Sequence, residues 1–523
     1  MKPSSPRIEV DLAELDQIID EGMRAPLSES NGQKLKTALH VLVERVAPRW
    51  RTTEKTRVVL EKPPGAEPAP EKAPPASGKP AIAGHGRHHA ARFPGAHRVV
   101  IAHPTLCHGD LCPECGVGKV YRQKQPKTLV RIVGRPPLEA TRYEMERLRC
   151  NGCNQMFTAA APPAAGPYKY DATAAAMIAQ LRYGSGVPFK RLERLEGNLG
   201  IPLPAATQWG VVKKETERIW PAWDELIRQA AQGEVAHNDD TGMRILKLAR
   251  EPAPEGRPER TGTFTSGIVS RAGTRFIALF FSGWKHAGEN LADVLKRRAP
   301  GLQPLIQMCD ALSRNAPKLS EGVRLLLANC LAHGRRQFVE VAANFPAECR
   351  YVLEALGSVW YSDELARRRN LSRDERLRFH QEHSAPLMKT LKEWMEAQLA
   401  EHKTEPNSGL GKAIQYMLRH WEPLTLFLRE PGAPLDNNLV ERALKKAILH
   451  RKNSLFYKTM KGAEVGDLFM SLIHTCELNG ANPFDYLTEL QRHAEQVKQA
   501  PADWMPWNYR EQLAPAVSGI DSG

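Results

Sequence analysis

The hydrophobic pattern of this chain changes period several times. Near the start, Leu35, Leu39, Leu42 and Val46 fall at helical spacing, and residues 10–48 are predicted to form two helices. Periodicity stops in "PPGAEPAPEKAPPASGKPAIAGHGRHHAARFP", Pro63 to Pro94, which cannot bury enough apolar surface to fold. Helical spacing returns in "DATAAAMIAQLRYG", "PFKRLERLEGNLG" and "AATQWGVVKKETERIWPAWDELIRQAAQG". The last two, separated by "GNLGIPLP", read either as a helix-turn-helix or as plain helical packing. The period then falls to two. "GEVAHNDDTGMRIL", "GTFTSGIVSR" and "TRFIALFFSG" read as strands, "AGENLADVLKRR" as a helix and "PLIQMCDALSRN" as a buried strand. A further helix is expected before "RLLLANCLAHGRRQF", a strand running into a basic turn. Together these predict a mixed α/β sheet. Residues 338–430 are helical again, and the basic helix "PLDNNLVERALKKAILHRKNSLF" follows.

Composition adds that the chain, at 523 residues, is multidomain or one core with large insertions. Its net charge of +14 suits a partner bearing many phosphates. No apolar run approaches the roughly 18–20 residues that span a bilayer, and the N-terminus lacks a signal-peptide apolar region. The nine cysteines form no disulfide pattern, so a reducing, cytoplasmic compartment is expected.

Four of those cysteines do form a pattern. Cys112 and Cys115 in "LCPECGVGKV", and Cys150 and Cys153 in "RLRCNGCNQMF", make two Cys-x-x-Cys pairs. Each pair can hold two corners of a tetrahedron, and two pairs close a structural Zn²⁺ site. Gly116 and Gly152 suit the turns. Cys107, His108 and His103 are spare candidate ligands.

The acids pose a sharper question. Asp239 or Asp240 ends the first strand, Asp310 ends a later one, and Glu441 lies in the first turn of the basic helix. Glu441 has an ordinary reading: Asn438 as helix cap with Glu441 reciprocating, and Lys445 as an ion-pair partner four residues on. It has a functional one too. Carboxylates at adjacent strand ends, with a third on a facing helix, can hold two Mg²⁺ ions that act on a phosphodiester. Arg442, Lys445, Lys446, Arg451 and Lys452 could then hold the DNA backbone.

Several segments together resemble the insertion-sequence-66 (IS66-type) family of transposases, of the DDE class: "CPECG" with "RCNGC", "YDATAAAMIAQLRYGSGVPFKRLERL", "HNDDT", "CLAHGRRQF", "LDNNLVERALKKAILHRKNSLF" and "ELNGANPFDYL". The resemblance runs from about residue 112 to about residue 490. It implies a ribonuclease H-like catalytic core with a large helical insertion, preceded by a zinc ribbon and helical N-terminal segments. It assigns catalysis to Asp239, Asp310 and Glu441, with His333 near the scissile phosphate or a structural histidine, and Arg335 or Arg336 on backbone phosphates. Mg²⁺ (or Mn²⁺) would bind Asp239, Asp310 and Glu441. Asp240 is kept as a ligand because it stands where the family has Glu. At the second Asp, "CDALSRN" departs from the family's pattern. The expected organisation is N-terminal helices over 1–50, a disordered linker over 51–104 and a zinc ribbon over 105–160. A helical DNA-binding segment over 165–232 precedes a core over 233–337, an insertion over 338–432, core completion over 433–495 and a tail over 496–523. The expected activity is cleavage at terminal inverted repeats and strand transfer, by a homodimer or larger synaptic assembly on transposon ends and target double-stranded DNA. Small accessory transposition proteins and a nucleoid-associated location are also implied. A non-catalytic, sequence-specific DNA-binding protein is the competing reading.

Overall fold

The structure is a computed structural model that describes residues 99–123, 132, 135–151, 153–248, 262–319 and 323–513. The expected helices over 10–48, most of the linker, Gly152 and the last ten residues lie outside the described residues. The described chain falls into two compact units, one ending at Pro137 and the other beginning at Leu138.

In the first unit Leu111 bridges Lys119, and the chain between them is a tight turn. The Gly116 amide donates to the Cys112 carbonyl at 2.8 Å, and Gly116 has φ +64°, where a side chain would be strained.

The second unit opens with a hairpin of β1 (Arg147–Arg149) and β2 (Met156–Thr158). Three helices follow: α1 (Ala172–Ala179), α2 (Phe189–Asn198) and α3 (Ala205–Ala230). Asp171 starts α1 by accepting the Ala174 amide at 2.9 Å. Helices α2 and α3 both contribute side chains to the main core. Val212, Ile219, Trp223, Leu226 and Ile227 of α3 are buried in the same core as the central sheet.

That sheet contains β3 (Val235–Gly242), β5 (Phe264–Ala272), β6 (Arg275–Gly283), β7 (Leu305–Cys309) and β8 (Leu325–Asn329) in the order β6-β5-β3-β7-β8. The first three are antiparallel neighbours, and β3, β7 and β8 run parallel. A short β4 (Ile245–Lys247) instead pairs β9 (Tyr457–Thr459). The mixed sheet is compatible with a ribonuclease H-like core. Helix α4 (Ala287–Leu295) lies between β6 and β7 in sequence. The helix expected between β7 and β8 is absent among the described residues, where the connection holds only the short turn Ser313–Asn315. The "basic turn" after β8 is also corrected. It is the start of helix α5 (Leu331–Val341), which begins at Cys330 without a side-chain cap and so carried no capping signal.

The insertion comprises α6 (Pro346–Arg368), α7 (Arg373–His383), α8 (Ala385–Ala400) and α9 (Gly409–Arg419). It builds its own core with α5 against Ile306, Met308 and Ala328 of the sheet. The chain then returns through α10 (Asn438–Ser454), α11 (Met460–Leu478) and α12 (Pro483–Arg492). Residues beyond 496, expected as a tail, pack into the main core through Val497, Trp504, Met505 and Tyr509.

Helix α11 covers the open edge of β6 in a way its composition did not advertise. The amides of Ser282, Phe280, Ala278 and Phe276 donate to side chains of Asp467, Ser471, Thr475 and Asn479, at 2.7, 3.0, 3.1 and 3.1 Å. Four residues along a helix advance about 6 Å, and two along a strand about 6.6 Å. The two ladders therefore stay nearly in step, and an edge that would otherwise pair with another chain is satisfied internally. Thr475→Val keeps the shape and removes the acceptor from the buried Ala278 amide. It is expected to cost about 1–3 kcal/mol, read as a lower urea midpoint.

Candidate active site

Strand register brings the first two acids together. In the β3–β7 pair His237 stands opposite Met308, and two residues further along each strand stand Asp239 and Asp310. On the next strand Cys309 pairs with Asn329, so Cys330 follows at the same level. The carboxyl ends of three parallel strands thus present Asp239, Asp310 and Cys330 side by side, where open α/β sheets gather ligands.

Successive strand residues face opposite sides, which separates Asp239 from Asp240. Asp239 lies opposite Gly267 of β5. A Cβ on Gly267 would meet Leu444 and Val440 of α10 at 3.0 and 3.2 Å, so this face carries the Glu441 helix in close contact. Asp240 turns to the α4 face. It accepts from His286 Nδ1 at 2.8 Å and pairs with Arg314 at 3.5 Å, and its side chain is 1% exposed.

Asn315 joins the first two acids. Its Nδ2 donates to Asp310 Oδ1 at 2.5 Å and lies 3.4 Å from Asp239 Oδ1. Its carbonyl accepts from Asn238 and Gln307, which lock the turn from below. Burial first, and the Asp310 charge after it, push the Asp239 carboxyl up to about 6, against the downward pull of the Asp240 amide and Asn315. Sequence reasoning missed Asn315. Its signal lay in "SRN" of the departing motif, where Asn315 serves Asp239 and Asp310 and Arg314 serves Asp240.

Glu441 is brought to this face through Asn437, a second residue the sequence did not single out. Asn437 is fully buried. Its Oδ1 lies 3.1 Å from His237 Nδ1, its Nδ2 donates to the Asn238 carbonyl at 3.2 Å, and its amide donates to Cys330 Sγ at 3.3 Å. His237, pushed down to about 4 by burial, is a neutral imidazole at physiological pH. The Asn438–Glu441 cap is corrected by this arrangement. Asn437 takes the cap position with its side chain already engaged, and Asn438 is the first helical residue, its amide held by Asp436 at 3.1 Å. Glu441 is left facing His333, with Oε1 at 3.9 Å from Nδ1.

The basic residues divide. Arg442, Lys445 and Lys452 are exposed on α10. Lys446 is spent on Glu477 at 2.9 Å, and Arg451 donates to Thr241 at 3.0 Å and to the Gly242 carbonyl, so these two brace the fold. Arg335 and Arg336 are half-buried in the first turns of α5.

Backbone hydrogen bonds shape each of the two cysteine turns. On the first, the Gly118 amide lies 3.4 Å from Cys115 Sγ, and that hydrogen bond holds the Cys115 thiol below its ordinary value. On the second, the Cys150 amide donates to Gln155 and the Asn154 amide to Cys150, at 2.9 and 3.0 Å, with Asn154 at φ +61°.

The model of the family described as Transposase IS66 matches residues 168–465, which hold Asp239, Asp310, His333 and Glu441. This chain belongs to the IS66 transposase family. The cysteine pairs lie outside the matched span. Two proteins of Sinorhizobium fredii are similar to it. Uncharacterized protein y4hP is 28% identical over 440 residues, covering 80% of this chain and 76% of that one. Uncharacterized protein y4jD is 27% identical over 396 residues, covering 71% and 73%. Family membership supports a transposase role and a nuclease or transposase activity. Among the described residues no helix is long and apolar enough to cross a membrane.

The buried carboxyls make a pH prediction. Asp239 at about 6 and Asp467 at about 7 both sit above the unfolded carboxylate value. A group raised on folding contributes stability that is full below about pH 4 and lost as pH rises through its folded value. In metal-free buffer these two carboxyls therefore contribute a melting-temperature difference in favour of pH 5 over pH 8, opposed by the buried imidazoles of His237 and His450, which burial holds low. Asp467→Asn should shrink that difference; an unchanged pH slope would show that burial does not perturb this carboxyl.

Proposed function

We propose that this member of the family is a DDE-type DNA transposase that binds the terminal inverted repeats of its element, cuts the strand there and joins the freed 3′-hydroxyl to target DNA. The observation that carries this reading is the Asp239–Asn315–Asp310 cluster, with the Glu441 helix packed on the same face. The donor set is oxygen-only at its centre, with Asn315 bridging the two carboxylates, which suits a hard divalent cation. Held by Asp239, Asp310 and Glu441, two Mg²⁺ or Mn²⁺ ions would supply Lewis-acid charge and an activated water or 3′-hydroxyl at the phosphodiester.

The chain's own groups do the positioning. Asn315 orients the two aspartates, and Asn437 fixes the start of the helix that carries Glu441. His333 stands beside Glu441 toward the scissile phosphate, and Asp240 braces the back of the strand through His286 and Arg314 instead of binding metal. Exposed Arg442, Lys445 and Lys452 hold backbone phosphates, so the acids work inside a cationic surround. Each Cys-x-x-Cys turn offers two thiolates to structural Zn²⁺. Synapsis of two ends calls for a homodimer or larger assembly, with small accessory proteins as further partners.

The test is incubation of the protein with DNA bearing its element's own ends, with Mg²⁺, Mn²⁺ or chelator, beside Glu441→Gln. Metal-dependent nicking at the repeat boundary by wild type, with the variant reduced at least about 100-fold, supports the reading. Binding without cutting by wild type, accessory proteins included, would instead make this a non-catalytic DNA-binding protein.

A further inference from the structure

Cys330, His333 and Glu441 form a group whose ligand atoms all lie within 4.8 Å of one another. Cys330 holds the cap position of α5, and His333 follows three residues later in its first turn, with its amide bonded to the Cys330 carbonyl at 3.1 Å. Glu441 approaches from α10. His333 Nδ1 is screened from solvent and has no hydrogen-bond partner, although Glu441 Oε1 stands 3.9 Å away. A buried ring nitrogen without a partner is a cost that a bound ion would remove.

We propose that these three residues are a zinc site, and that Zn²⁺ held there withdraws Glu441 from the Asp239–Asp310 pair and so stops strand cleavage. The inhibitory half rests on the catalytic reading of Glu441 above; the binding half does not. One thiolate, one imidazole and one carboxylate make a borderline-soft set that suits Zn²⁺ and not Mg²⁺. Binding forms bonds from the metal to Cys330 Sγ, a ring nitrogen of His333 and a Glu441 oxygen, and the thiol proton passes to solvent. Burial keeps that thiol protonated, up to about 11, so the metal must displace the proton. Nothing is oxidised, and the fourth position stays open to water. Because one carboxylate serves both sites, raising Mg²⁺ should relieve the inhibition.

The experiment uses the full chain as purified, with any tightly held zinc left in place. Co²⁺ is added as a probe whose thiolate bond gives a charge-transfer absorption. Wild type should take one further equivalent with that band. Cys330→Ser should lose the band, and His333→Ala should bind at least about 10-fold more weakly. In parallel, Zn²⁺ is titrated into Mg²⁺-dependent cleavage, each variant scored against its own zinc-free rate. The zinc concentration for half inhibition should rise at least about 10-fold in both variants. The site is overturned if no further equivalent binds, or if both variants keep the equivalent and the band. The inhibitory role is overturned if half inhibition is unchanged in both. Should no protein cut DNA under any metal, the catalytic reading and the inhibition fail together, and cobalt binding alone decides the site.

Discussion

Asp239→Asn and Asp310→Asn are each expected to reduce cleavage at the element's ends by at least about 10³-fold while leaving DNA binding in place. Asp240→Asn should keep cleavage within about tenfold and lower the melting temperature instead. The two aspartates are adjacent in sequence, so composition cannot separate them. The pleat can, because neighbouring side chains on a strand face opposite ways. Asp239 shares Asn315 with Asp310, and Asp240 is buried against His286 and Arg314. An amide at 239 or 310 keeps the shape and removes the charge a divalent cation needs. An amide at 240 can still accept from His286 but loses the ion pair, a cost of about 1–2 kcal/mol. Filter binding, nicking of a labelled end and thermal melting on the same preparations separate the three variants. If Asp240→Asn abolishes nicking without unfolding, the metal sits on the α4 face and the assignment of faces is wrong.

The acids were legible because they bear charges at strand ends, and period-two runs announce strands. What places them was not. Asn315 and Asn437 look like turn residues, and nothing local marks which side chain reaches across the sheet. The connection from β7 to β8 misled in the same way: a helix is expected there, and the chain makes a turn whose value lies in Arg314 and Asn315. Polar Asp467, Ser471, Thr475 and Asn479 sit four apart in an apolar helix, a stripe visible in sequence whose use depends on a strand edge two hundred residues away. The exposed cations of α10 were legible as a group. The division of labour was not, since Lys446 and Arg451 are spent on partners from other elements.

Asn437→Leu is expected to destabilise the protein by about 2–4 kcal/mol and to slow cleavage beyond what lost stability explains. Three contacts meet at this residue: His237 and the Asn238 carbonyl on β3, and Cys330 at the start of α5. Leucine fills similar space but leaves the ring nitrogen and the carbonyl without this partner in a buried site, each at about 1–3 kcal/mol. The amide to Cys330 survives, since it belongs to the backbone. Asn437 is also the last residue before α10, and Glu441 accepts its place through the amide that bonds the Asn437 carbonyl at 3.2 Å. A small rotation there moves the third carboxylate relative to the first two, and a misplacement of about 1 Å can cost about 100-fold in rate. Asn437→Asp separates the two effects. It still accepts from His237 and keeps the backbone contacts, but it loses the donor to Asn238 and sets a carboxylate against that carbonyl. Its melting temperature should fall less than that of the leucine variant, and His237, gaining a carboxylate neighbour, should titrate higher in a proton resonance titration. Cleavage measured well below each variant's melting temperature then isolates positioning. Wild-type rates from a folded Asn437→Leu protein would mean that α10 is held by its apolar face alone, through Val440 and Leu444 against Gly267.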